Sequence, residues 1–198
     1  MTLERMGPQH ARDVAGLHAA TLGGLLSRLG RSALDPYYDA CAHSPLSTAF
    51  VAVEDSRVIG FVAGAESPRG LRRDVLRRNP LQFGLGALVA GLRNPSALID
   101  LARGTLAQPS YDSGAPELIY LAVDPSKRGQ GTGKALVGRF SEAMRTTGAL
   151  RYELSVEARN ADAQRFYERL GFTRIGTYEE FGTSQVRYAM HLTPGFAT

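Results

Sequence analysis

The sequence predicts an α/β fold: one mixed central sheet of about six to seven strands, flanked by helices, with a helical insertion between the third and fourth strands. Three observations carry that expectation. Over residues 117–192 the apolar pattern switches between period two and period 3.6 in the order β-α-β-α-β-β. Two β-rich runs, 49–53 and 58–63, flank Glu54-Asp55-Ser56-Arg57, which reads as a tight hairpin. Between these two regions Pro68, Pro80, Pro95 and Pro109 divide a basic stretch into three helix-length pieces, and prolines sit where helices begin or end.

In chain order, residues 2–5 form a short first strand. From Gln9 the pattern is helical, with Val14, Leu17, His18, Leu25 and Leu29 near one face, and a second helix spans residues 34–43. The hairpin strands and the proline-bounded helices follow. Residues 117–123 are the clearest strand, stopped by Asp124-Pro125. A helix over 131–147 buries Leu136, Val137, Phe140 and Met144, and Gly148 is placed to cap it. Residues 152–157 return to a strand, 160–170 form a helix ended by Gly171, and strands at 172–178 and 185–192 complete the chain. With 198 residues, 43% of them hydrophobic and 21% charged, the whole of 1–198 suits one domain in which 66–115 is an insertion.

Composition narrows the function classes. Cys41 is the single cysteine, so an intrachain disulfide and a cysteine-based metal site are excluded. His10, His18, His43 and His191 show no metal-ligand spacing, and no metal is expected. The first eight residues carry Glu4 and Arg5 and lack the apolar core of a secretory leader. The longest apolar run, 81–92, is broken by glycines and too short to span a bilayer, so a cytoplasmic protein is expected. The net charge of +4 arises locally: between Pro68 and Pro109 seven arginines face two acids, which makes that segment +5 by itself. Few aromatic residues interleave with those arginines, so nucleic-acid binding is not expected.

The chemistry concentrates in Val123-Asp124-Pro125-Ser126-Lys127-Arg128-Gly129-Gln130-Gly131-Thr132-Gly133-Lys134-Ala135-Leu136. A strand ends, a glycine-rich turn follows and a helix starts. Successive amides in such a turn, with the open N–H groups of the new helix, form an anion site. The ligand is not that of a Walker A loop, which needs Gly at 128 and Ser or Thr at 135, where Arg and Ala stand. Nor does the dinucleotide fingerprint fit, because Leu136 occupies a position that requires a small residue. Some thirty residues on lies Asn160-Ala161-Asp162-Ala163-Gln164-Arg165-Phe166-Tyr167-Glu168-Arg169-Leu170-Gly171-Phe172. Arg128-x-x-Gly131-x-Gly133 resembles the pyrophosphate loop of the GCN5-related N-acetyltransferase (GNAT) superfamily, and the second block resembles that family's Asn-led helix with its Phe-Tyr-x-x-Leu-Gly-Phe ending. The resemblance is specific over 117–192, loose over 1–65 and absent over 66–115.

That resemblance implies acetyl-CoA as cosubstrate and direct transfer of its acetyl group to a primary amine in a ternary complex. Leu121, Ala122 and Val123 would offer main-chain partners to the pantetheine arm. The amides of Arg128, Gly129, Gln130, Gly131, Thr132, Gly133 and Lys134 would hold the pyrophosphate, with the Arg128 side chain adding charge. Asn160 would reach the pantetheine arm while serving as a helix N-cap. Tyr167 is the implied acid for the departing sulfur, since a phenol keeps its proton near neutral pH. For the base the resemblance points to Glu117, which opens the strand before the loop and would need burial or a water chain to act; a solvated acid at a strand entrance is the alternative. A second branch of the family places its base where Ser155 stands here, flanked by Glu153 and Glu157 on the same strand parity.

The expected acceptor is a small-molecule amine or amino sugar. A protein N-terminus or lysine, or an aminoacyl-tRNA, is the alternative within the same chemistry, and a non-catalytic acetyl-CoA sensor is the alternative outside it. Leu81, Leu85, Leu88 and Leu92 make an apolar stripe that must bury against something, for which a second copy of the chain is one option.

Overall fold

The computed structural model describes residues 1–78, 80, 113–180 and 182–193. In these, seven strands form one sheet in the order β1-β2-β3-β4-β5-β7-β6. The strands are β1 (Thr2–Arg5), β2 (Thr48–Glu54), β3 (Arg57–Ala65), β4 (Glu117–Val123), β5 (Arg151–Glu157), β6 (Thr173–Glu180) and β7 (Thr183–His191). The helices are α1 (Ala11–Thr21), α2 (Leu25–Leu29), α3 (Arg31–His43), α4 (Pro68–Arg78), α5 (Thr132–Thr146) and α6 (Ala161–Arg169). Every neighbouring pair is antiparallel except β4 and β5, which run parallel.

The elements follow local chemistry closely. The β2–β3 turn holds Asp55 and Ser56 at φ 48° and 59°, the primed turn that a two-residue hairpin loop needs. Gly148 at φ 81° ends α5 and Gly171 at φ 92° follows α6, both left-handed exits that a side chain would strain. Two boundaries differ from the sequence expectation. The helical pattern beginning near Gln9 is broken after Thr21, and Gly24 at φ 92° restarts it as α2. The next helix begins at Arg31 rather than residue 34, because Gly30 at φ 74° turns the chain directly into it. The first of the three expected insertion helices is α4. The other two, and the leucine stripe for which a second copy of the chain is one option, lie outside the described residues.

Strand alternation gives each face of the sheet its own core. On one face α5 and α6 cover a cluster that includes Leu136, Phe140, Met144, Tyr152, Leu154, Tyr167, Phe172 and Tyr188. On the other, α1, α3 and α4 cover Val14, Leu34, Tyr38, Phe61, Leu71 and Val75. Cys41 lies buried in this second core, its thiol pushed up to about 12 by burial, which leaves it unreactive. At the β3–β4 pairing the register slips by one residue between Ala63 and Gly64, so Ile119 is extra. Gly64 permits that approach: a Cβ there would sit 2.2 Å from the carbonyl oxygen of Glu117. Any side chain at 64 would push the start of β4 out of place.

Candidate functional site

β4 and β5 are hydrogen-bonded neighbours only at their beginnings. Glu117 pairs with Glu153, and the Glu153 N–H donates to the Pro116 carbonyl at 2.9 Å. No further β4–β5 pair follows among the described residues, so the two strands diverge toward their C-terminal ends. The gap between them exposes backbone donors and acceptors on facing edges, with Leu121, Ala122 and Val123 along one side. An extended polar chain can complete such edges as an added strand.

The glycine loop stands at the mouth of this gap. Asp124 accepts hydrogen bonds from the Ser126 N–H at 2.9 Å and its hydroxyl at 2.7 Å, which fixes the exit from β4. Those bonds hold the Asp124 carboxyl below the ordinary carboxylate range. A single 3-10 turn, Pro125–Lys127, carries the chain to Arg128, and Lys127 pairs with Glu54 on β2. Gly129 and Gly131 then take φ 76° and 84°. The first hydrogen bond of α5 runs from the Ala135 N–H to the Gly131 carbonyl at 3.0 Å. The N–H groups of Thr132, Gly133 and Lys134 are therefore left open at the helix start, where the helix dipole is positive. Arg128, Gly129 and Gln130 are exposed beside them. Together these groups make a surface suited to a phosphate or pyrophosphate.

The second motif packs directly onto the first. A Cβ added at Gly133 would meet the Phe166 ring at 3.2 Å, so the loop glycine is what allows α6 to close against α5. Asn160 caps α6 by accepting from the Ala163 N–H at 3.1 Å, which leaves its side-chain NH2 available as a donor. Tyr167, two turns further along, is buried between the Phe166 and Phe172 rings at 5.1 and 5.2 Å. Burial pushes its phenol far above the ordinary tyrosine value, so the group keeps its proton throughout the neutral range.

The opposite face of the sheet carries a charged centre that the sequence reading touched only in part. Arg187 on β7 is 3% exposed. Its Nη1 donates to Glu117 Oε1 at 2.5 Å and to Ser155 Oγ at 2.9 Å, and its Nε donates to Glu153 Oε2 at 3.1 Å. Glu153 is wholly buried, and takes further contacts from Arg151 at 2.9 Å and from the Ser113 hydroxyl at 2.8 Å. Ser155 also shares a 2.9 Å hydrogen bond with the Tyr178 hydroxyl. Glu180, two residues along β6 on the same face as Tyr178, makes no side-chain hydrogen bond or ion pair among the described residues. Burial first, and the charge of Glu117 second, raise its carboxyl above the ordinary range, against a lowering by Arg187.

The structure thus gathers Arg128–Lys134, Asn160 and residues 121–123 around one gap. Leu118 and Tyr167 belong to the core under α5 and α6, whereas Glu117 has the opposite strand parity and joins Arg187, so Tyr167 and Glu117 lie on opposite faces of the sheet. Glu153, which flanks Ser155 on β5, is the most buried carboxylate of the cluster. Glu157 is half-buried and pairs with Arg159 at 2.7 Å. Sequence reasoning missed Arg187, Tyr178 and Glu180. Arg187 left a legible trace as the lone charge within the run Val186-Arg187-Tyr188-Ala189-Met190. Among the described residues no group of His, Cys, Asp and Glu could hold a metal ion. Nor is any described helix long and apolar enough to cross a membrane.

Residues 25–172 match the sequence profile of the Acetyltransferase (GNAT) family. A mycothiol acetyltransferase of Beutenbergia cavernae is 39% identical over 71 residues, 36% of this chain and 24% of that protein. A phosphinothricin N-acetyltransferase of Streptomyces coelicolor is 29% identical over 82 residues, 41% and 47% of the two chains. The match thus spans about a quarter of the first relative and about half of the second. Among solved structures, a GNAT-family protein of Desulfovibrio desulfuricans superposes with a TM-score of 0.63 at 18% identity, over 97% of this chain and 99% of that one. The ribosomal-protein-S18-alanine N-acetyltransferase of Escherichia coli gives 0.62 at 14% identity, over 97% and 94%. At such identities the superpositions speak for the fold alone.

Proposed function

The chain belongs to the acetyltransferase (GNAT) family, and from that premise we propose that it transfers the acetyl group of acetyl-CoA directly to the primary amine of a small molecule. The observation that carries this reading is the divergence of β4 and β5 beside a glycine loop whose amides stand open. Free backbone edges suit the amide-bearing pantetheine arm, and the start of α5 suits the pyrophosphate. When bound, acetyl-CoA supplies an acetyl group activated as a thioester.

The chain's own groups divide the remaining work by face. The N–H groups from Gly129 to Lys134, with the Arg128 side chain, hold the diphosphate; the Arg128 N–H, expected among them, instead donates to the Pro125 carbonyl at 3.4 Å. Leu121, Ala122 and Val123 orient the arm through main-chain bonds, and the Asn160 NH2 donates to it from across the gap. On the α5–α6 face Tyr167 keeps a proton at its hydroxyl oxygen, ready for a departing sulfur. On the other face lie the carboxylates of Glu117 and Glu180, and a carboxylate not already bound can take a proton from an incoming ammonium. Acid and base on opposite sides of a gap suit a displacement in which the amine enters from one side and the thiolate leaves on the other. The names of the Beutenbergia and Streptomyces relatives point to small acceptors, and favour that class over a macromolecule.

The test is thiol release from acetyl-CoA against a panel of small amines, amino sugars and peptides, run in parallel with Tyr167→Phe. Turnover on small amines, with kcat in the variant down about 100-fold or more and KM little changed, is the expected result. Calorimetric binding of acetyl-CoA without turnover on any amine would point to a sensor. Absence of binding would overturn the reading.

A further inference from the structure

Resting on the acetyltransferase reading, we propose that Glu180 is the catalytic residue that takes the proton from the acceptor's ammonium, while Glu117 is held out of that role by Arg187. The two carboxylates share a face but differ in their commitments. Glu117 Oε1 is bound by Arg187 at 2.5 Å, and that guanidinium is itself pinned by Glu153 and Ser155. Glu117 also sits where β4 and β5 are still paired, the closed end of the gap. Among the described residues Glu180 has no such engagement. In the register, Tyr178 lies opposite Gln185, which lies opposite Glu157, and Glu180 is two residues further on. Its backbone therefore stands beyond the level of the last residue of β5, toward the open end of the gap, on the edge strand that β7 separates from β5.

The surroundings of Glu180 suit a cation. The titratable and charged groups bearing on it are Glu117 and Tyr120 from β4, Tyr178 from β6 and Arg187 from β7. Burial keeps both phenols protonated and neutral through the working range. Arg187 lies between Glu153 and Glu117. What remains is a carboxylate that makes no side-chain bond among the described residues and attracts an ammonium through its charge. Burial and the Glu117 charge raise the Glu180 carboxyl above the ordinary range, and a less acidic carboxyl leaves a stronger base.

The step balances as follows. The ammonium gives one proton to the Glu180 carboxylate, and the neutral nitrogen attacks the acyl carbon. As the C–N bond forms and the C–S bond breaks, sulfur takes the proton of Tyr167 and the nitrogen releases a second proton that restores the phenol. One proton per turnover then leaves Glu180 for solvent.

The experiment measures kcat/KM against pH for the parent, Glu180→Gln and Glu117→Gln, with acetyl-CoA and the amine that turns over best in the panel. Acetyl-CoA affinity and urea stability are followed alongside. The parent should show an acidic limb above the ordinary carboxylate range. Glu180→Gln should lose that limb and about 100-fold or more of kcat/KM at pH 7. Its rate should then climb about one decade per pH unit, as solvent supplies free amine, while acetyl-CoA binding and stability match the parent. Glu180→Asp should recover part of the loss. Parent-like rates and pH profile in Glu180→Gln, or loss of the limb in Glu117→Gln instead, would overturn the assignment with the acetyltransferase reading intact. A parent that turns over no amine overturns both.

Discussion

Replacing Arg187 by Met asks whether the charged centre of the sheet is a structural joint. The Arg187 side chain is 4% exposed and the Glu153 side chain 0%, so neither is well solvated. Removing the guanidinium deletes its bonds to Glu117, Glu153 and Ser155. It leaves Glu153 with Arg151 at 2.9 Å, a side chain that is 48% exposed, and with the Ser113 hydroxyl. Breaking a buried pair by removing one partner costs about 3–5 kcal/mol, mostly from the charge left behind. At about 2–4 °C per kcal/mol for a chain of this size, Tm should fall by roughly 6–20 °C. Urea unfolding at pH 7 measures the cost directly, on Arg187→Met, Glu153→Gln and the double variant. If the stranded charge dominates, the double variant should be less destabilised than the sum of the singles by about 1–3 kcal/mol. A single variant within about 1 kcal/mol of the parent, or strict additivity in the double, would refute the reasoning.

Two further outcomes are expected. Gly131→Ala places a side chain at φ 84° with no atom within 4 Å of the new Cβ, so its cost is conformational alone, about 1–2 kcal/mol. KM for acetyl-CoA should rise several-fold, and Gly131→Asn, whose side chain tolerates the left-handed region, should lie nearer the parent; equal KM values in all three would remove the loop from the site. His18 is wholly buried, with Nδ1 2.6 Å from the Tyr38 hydroxyl, and burial lowers it from 6.5 to about 4. Its folded value lies below its unfolded one, so its contribution to stability is complete above about pH 6.5 and is lost as pH falls toward 4. Between pH 7 and 5 the parent should therefore lose about 2 kcal/mol more than His18→Phe in urea titrations. Parallel losses in the two proteins would show that His18 does not titrate in this window.

What the sequence determined by itself is what local spacing can encode. The turn at Asp55-Ser56, the stops at Gly148 and Gly171, and the strand over Glu117–Val123 follow from φ preferences and apolar periodicity, which act within a few residues. The glycine loop was legible for the same reason, since an anion site at a helix start is a run of adjacent amides, whereas the Asn160–Phe172 block was legible through its resemblance to the family. The interruption at Gly24 was not, because a glycine within a helical pattern marks a break only when tertiary packing turns the chain there. The charged centre lay further from view. Glu117, Glu153, Ser155, Tyr178, Glu180 and Arg187 come from four strands, and Arg187 meets Glu117 across 70 positions of sequence. Which carboxylate is tied down and which is left open depends on the β5–β7–β6 register and on the depth of burial. Both are sums over long-range contacts, and only the tertiary structure carries them.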